Sequence, residues 1–76
     1  MMQFGVVAYA GYRGEQEPRA VLVDGERFEV MGIDDRWHDP DATYFKVAAA
    51  DGRIYLVRRD FETSMWSLVQ VWQLDA

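Results

Sequence analysis

The sequence predicts an all-β domain: a small six-stranded antiparallel meander rolled into an SH3-like barrel or half-barrel. Three observations carry that expectation. Two Asp-Gly dipeptides, Asp24-Gly25 and Asp51-Gly52, each separate two runs rich in β-branched and aromatic residues. Turn-forming residues recur about every 8–12 positions, the spacing of short strands in barrels and sandwiches. Finally, the apolar residues alternate with a period of two through most of the chain, and no segment combines helical spacing with a helix cap.

The strands are justified in order. "FGVVAYA" supplies a first strand over Gln3–Ala10. Asp-Gly between extended runs is the strongest short hairpin signal, because a type I′ turn needs positive φ at both central residues. Arg19–Val23 is therefore paired with Glu26–Ile33, and Tyr44–Ala50 with Arg53–Arg59. Val21, Val23, Phe28 and Val30 keep phase, but Ile33 is out of phase by one. A β-bulge at Met31-Gly32 restores Ile33 to the inward face. Phe45 and Val47 alternate with Tyr44 and Lys46, as Tyr55 and Val57 alternate with Leu56 and Arg58, which suits a central hairpin. "WSLVQVWQL", Trp66–Leu74, reads as the last strand on its β-branched and aromatic content. "GYRGEQEP", "HDPDA" and "DFETS" read as loops. Trp72 and Phe45 are the expected core aromatics. An open sheet that dimerises through one face is the alternative architecture.

Seventy-six residues make one domain, 1–76, and one of marginal stability, since so short a chain buries only about 60% of its unfolded surface. With no cysteine, neither disulfides nor thiolate zinc assist. Three Trp, four Tyr and four Phe compensate, each able to bury roughly 150–250 Å². The net charge of −5 is evenly spread: residues 1–38 carry four basic and seven acidic side chains, residues 39–76 four and six. No basic stripe offers itself to a phosphate backbone. Ala8-Tyr9-Ala10 imitates a cleavage box, but no Lys or Arg precedes it. No apolar run approaches the 18 or so residues of a membrane span. A cytoplasmic location is expected, as a monomer or weak homodimer.

The order and spacing of several residues resemble a family of small bacterial β domains of unknown function. The pattern is F/Y-x-V-x-x-I/V-x-D-R-W, then Y-x-L-R-x-D, then W-x-L. Its carriers here are Phe28, Val30, Ile33, Asp35, Arg36, Trp37, Tyr55, Val57, Arg58, Asp60, Trp66 and Leu68. The resemblance covers roughly residues 20–72. It departs at Val57, where Leu is usual, and does not extend to residues 1–18. It implies a small β fold without an assigned activity. Some members are encoded near DNA-repair polymerase genes, which would imply an accessory role in nucleic-acid metabolism.

Residues 33–45, "IDDRWHDPDATYF", concentrate the candidate chemistry. Asp34, Asp35, Asp39 and Asp41 offer oxygen to a hard cation, but they follow no EF-hand spacing and Pro40 interrupts them. His38 has no second imidazole with which to hold a transition metal. A strand end followed by a Pro-directed turn, with Asp39 and Asp41 bonding backbone N–H groups, explains the run without a metal. Asp34 and Asp35 point to opposite faces of a strand unless a bulge intervenes. Cross-strand pairs of Asp35 with Arg58 and of Arg36 with Asp60 suit the spacing. Ser64 and Ser67 lie in no nucleophile elbow, and "GYRG" lacks the Lys-Ser/Thr of a phosphate loop. No catalytic residue, metal or cofactor is therefore expected. The expected binding residues are Arg36, Trp37, Tyr44 and Arg58, forming an aromatic groove beside a polar loop. Such grooves take peptides, or stack the bases of single strands. The acidic balance favours a protein or peptide partner, with nucleic acid as runner-up.

Overall fold

A computed structural model describes residues 3–10 and 16–73. Its six strands are β1 (Phe4–Ala10), β2 (Gln16–Val23), β3 (Glu26–His38), β4 (Ala42–Ala49), β5 (Arg53–Asp60) and β6 (Trp66–Gln73). They form one antiparallel meander in the order β1-β2-β3-β4-β5-β6, curled into a half-barrel, with no helix among the described residues. No helix here is long and apolar enough to cross a membrane.

β3 is the longest strand, with 13 residues, and serves two ladders. Its first part pairs with β2, from Val23↔Glu26 to Ala20↔Glu29. Its second part pairs with β4, from Val30↔Ala49 to His38↔Thr43. The change of partner bends the sheet over its own concave face. Met31 is unpaired between Val30↔Ala49 and Gly32↔Ala48, which is the bulge expected from the phase of Ile33. A second bulge follows, with Asp34 unpaired between Ile33↔Val47 and Asp35↔Lys46.

The two Asp-Gly turns differ. Asp24 and Gly25 both have positive φ, 51° and 86°, the type I′ geometry. At the second turn Gly52 alone is left-handed, at 83°, and its N–H donates to the Ala49 carbonyl at 3.1 Å. That is a one-residue-longer connection, a turn over Ala50-Asp51 closed by a left-handed glycine, so the hairpin is three residues long instead of two. The first loop is also shorter than expected: Gln16, Glu17 and Pro18 of "GYRGEQEP" belong to β2, and residues 11–15 lie outside the described part. Leu74, expected at the end of β6, lies outside it as well.

The concave face holds the core. Val21, Phe45, Val47, Ala49, Tyr55 and Val57 are buried, and Phe4, Val6, Phe28, Val30, Ile33, Trp66 and Leu68 pack around them. Phe4 and Tyr55 stack across the trough at 6.0 Å, and Phe45 meets Trp66 at 5.5 Å. The Tyr55 hydroxyl donates to the Asp51 carboxylate, which satisfies the one polar atom of a ring only 1% exposed. Burial, followed by that bond to Asp51, pushes the phenol above its ordinary range. Phe45 is core as expected, at 2% exposure, but Trp72 is not: it stands 36% exposed on the convex face. The reason is the register Trp72↔Ile54. Ile54 alternates with the inward Tyr55, so both it and its partner point outward.

Phe45 contacts Arg36 and Trp66 as well as the aliphatic core. Replacing it by alanine is expected to cost about 3–5 kcal/mol, much of the stability of a domain this size. Urea denaturation followed by circular dichroism checks this, the expected outcome being a largely unfolded Phe45→Ala chain at room temperature.

Candidate functional site

The convex face of β3–β6 is built by strand register. Trp37↔Tyr44, Tyr44↔Arg58 and Arg58↔Ser67 form one row across four strands. The next row is Asp35, Lys46, Leu56 and Gln70, and the one after it Gly32, Ala48, Ile54 and Trp72. All lie opposite the core-facing row of Phe45 and Val57, because alternate residues of a strand take alternate faces.

Trp37 and Tyr44 stack nearly in parallel, with centroids 5.4 Å apart and planes 5° apart. Trp37 remains 40% exposed. The Tyr44 hydroxyl, and after it Asp60, hold the Arg58 guanidinium in its charged form. Arg58 Nη1 donates to Asp60 Oδ2 at 3.2 Å. On the same face Lys46 Nζ sits 5.2 Å from the centre of the Trp72 ring, a cation–π contact. The face is thus an aromatic and aliphatic strip with two cations, each with a local partner. A hollow lined by Pro40, Asp41, Arg58, Asp60, Phe61 and Glu62 continues it beyond Arg58.

Asp60 organises that hollow. Its Oδ1 accepts the backbone N–H groups of Glu62 and Thr63, both at 2.9 Å. Its own N–H donates to the Met65 carbonyl at 2.9 Å, and its carbonyl accepts the N–H of Ser64 at 2.9 Å. Ser64 takes a positive φ of 61° to close the loop. The Thr63 N–H first, and then the Glu62 N–H and Arg58, hold the Asp60 carboxyl below the usual aspartate range, against a smaller opposing effect of partial burial.

Of the four expected binding residues, the fold brings Trp37, Tyr44 and Arg58 into one row and sends Arg36 to the other face. The Asp34 bulge is the cause. It shifts the phase so that Arg36 lies opposite the inward Phe45, with its guanidinium carbon 5.1 Å above that ring. Arg36 bonds Glu17 of β2, not Asp60. Asp35 lies opposite Lys46 instead of Arg58, and its Oδ1 accepts the Arg36 N–H at 2.8 Å. Asp39 Oδ1 accepts the Asp41 N–H at 3.3 Å, as a Pro-directed turn requires. His38 Nδ1 is 2.9 Å from Thr43 Oγ1 on the concave side. Among the described residues, no three His, Asp or Glu side chains converge as metal ligands would. Lys46 and Leu56 are convex-face residues that the sequence reading passed over, and Trp72 is the one it assigned to the core. For Lys46 and Leu56 the signal was present in their alternation with Phe45, Val47, Tyr55 and Val57.

No protein-family model, curated protein or solved structure matches the chain.

Because the Asp60 carboxyl titrates lower in the folded protein than in the unfolded chain, its contribution is present above the unfolded value of about 3.9. That contribution is lost as pH falls through the folded value. The expected outcome is that the protection factors of the Glu62 and Thr63 amides, which bond the carboxylate, fall on acidification through that window, and that Asp60→Asn removes this acid dependence while lowering protection at all pH. Hydrogen exchange followed by NMR checks it.

Proposed function

We propose that this domain is a non-catalytic, cytoplasmic protein-interaction or accessory module, SH3-like in plan, whose convex strip docks a segment of a partner protein. One observation carries the reading. The Trp37–Tyr44 stack stands on the outside of a sheet whose inside is already filled. Large aromatics held in parallel at the surface provide contact area at low entropic cost, and anchors of that type dominate protein interfaces.

The charge pattern supports a protein occupant. Arg58 is paired with Asp60, and Lys46, which lies over Trp72, stands opposite Asp35 in the ladder, so the strip carries little net positive charge. An apolar or aromatic segment meets such a strip without leaving buried charges unpaired. A polyanion finds few cations to replace its counterions. The second reading, a stacking platform for single-stranded nucleic acid in a repair-associated accessory domain, is favoured by the coplanar rings beside Arg58. It is also what the family resemblance implies.

Trp37→Ala and Tyr44→Ala remove the anchor without touching the core. The expected outcome is that either variant keeps the wild-type circular dichroism spectrum but loses, by tenfold or more in yield, the proteins crosslinked to the wild-type domain. A variant that folds and retains every partner contradicts the docking reading. Quenching of indole emission by single-stranded DNA or RNA at low salt, lost in Trp37→Phe, instead establishes the second.

A further inference from the structure

The concave face ends in a row of different character from the convex strip. His38↔Thr43, Thr43↔Arg59 and Arg59↔Trp66 run across β3, β4, β5 and β6 at the open end of the trough. Arg36 stands one row further in, on the same face, above the ring of Phe45. The chain has eight Lys and Arg and one His against 13 acids. Three of those nine basic residues therefore share one wall of an acidic protein. The sequence separates them by up to 23 positions, and the Asp34 bulge delivers Arg36 to the group.

We propose that this end row is an oxyanion site, in which Arg59 and His38, with Arg36 behind, hold a phosphate or carboxylate group beside the Trp66 ring, the buried Thr43 hydroxyl serving to orient the imidazole. Strands about 4.8 Å apart set His38 and Arg59 two spacings from each other, one on each side of Thr43. That gap is spanned by one anion with an arginine on one side and an imidazole on the other. The guanidinium fork matches the geometry of carboxylate and phosphate oxygens.

The local bonds leave donors directed at that space. Arg59 Nη2 donates to Ser64 Oγ at 3.2 Å, which fixes the head of the side chain while its other N–H groups serve an acceptor. His38 is anchored through Nδ1 on Thr43 Oγ1, so its Nε2 points away from the sheet. Arg36 is held by Glu17 across the trough. Trp66 is half-buried against Phe45 and offers an apolar wall. An anion carrying a flat apolar group fits this combination best. The site is separate from the convex strip: His38, Thr43 and Arg59 each adjoin one of Trp37, Tyr44 and Arg58 in sequence and take the opposite face.

The test is an NMR titration of the full chain with inorganic phosphate and, separately, with acetate, at constant ionic strength set by chloride. Saturable shifts at His38, Thr43, the Arg59 side chain and the Trp66 indole are expected. Arg59→Gln weakens them about tenfold, as loss of a charge-assisted hydrogen bond implies, while Arg59→Lys, which keeps the charge but not the fork, restores only part of the affinity. His38→Ala, at an exposed position, is the second variant and also weakens binding, so the result does not rest on a change that disturbs the Ser64 contact. Trp37→Ala leaves the titration unchanged, which separates this site from the convex strip. The phosphate and acetate arms tell which oxyanion is preferred. Absence of a saturable shift with either anion, or shifts that survive both Arg59→Gln and His38→Ala, overturns the proposal.

Discussion

The phase of β3 is the constraint on which the rest of the structure depends. A strand has one free choice, which parity of residues it turns inward, and a slip of one residue exchanges its faces. β3 makes that choice more than once. It serves β2 with one register and β4 with another, and two unpaired residues, Met31 and Asp34, interrupt its ladder with β4. The first bulge returns Ile33 to the core. The second places Arg36 over Phe45 and Trp37 beside Tyr44. Without it Arg36 and Trp37 exchange faces, and an indole replaces a guanidinium inside the trough.

The bulges also account for curvature. A small sheet needs strong twist to cover one face with so few residues, and each bulge adds right-handed twist where the strand changes partner. The resulting trough lets Phe4 of β1 stack on Tyr55 of β5, four strands away in the order. Aromatic rings thus bridge the gap that a six-strand sheet leaves unclosed. In the absence of disulfides, those contacts are what a short acidic chain has for holding its two ends together.

The hairpins and the first bulge were legible because each leaves a local trace. Asp24-Gly25 and Asp51-Gly52 are turn residues between alternating runs, and Ile33 is an apolar residue visibly out of step. The second bulge leaves none. It falls in Asp34-Asp35-Arg36, where every residue is polar and either parity reads equally well. Arg36 was therefore expected beside Trp37 and Tyr44, although the row of Trp37, Tyr44 and Arg58 was within reach of the alternation. Trp72 was expected in the core on size, but its face is set by Ile54 across the ladder, a non-local fact. The second Asp-Gly turn failed at a finer level: the dipeptide signals a reversal, whereas the length of the reversal depends on how Ala49 and Ala50 meet β3 where it changes partner, the Ala50 N–H donating to the Glu29 carbonyl at 2.8 Å.

Cross-strand proton contacts between β3 and β4 in an isotope-labelled sample test the account most directly. The double bulge sets Asp35 opposite Lys46, Arg36 opposite Phe45 and Trp37 opposite Tyr44, with Met31 and Asp34 each lacking a partner. An unbroken ladder continuing from Val30 and Ala49, with Asp34 opposite Phe45 and Asp35 opposite Tyr44, contradicts it.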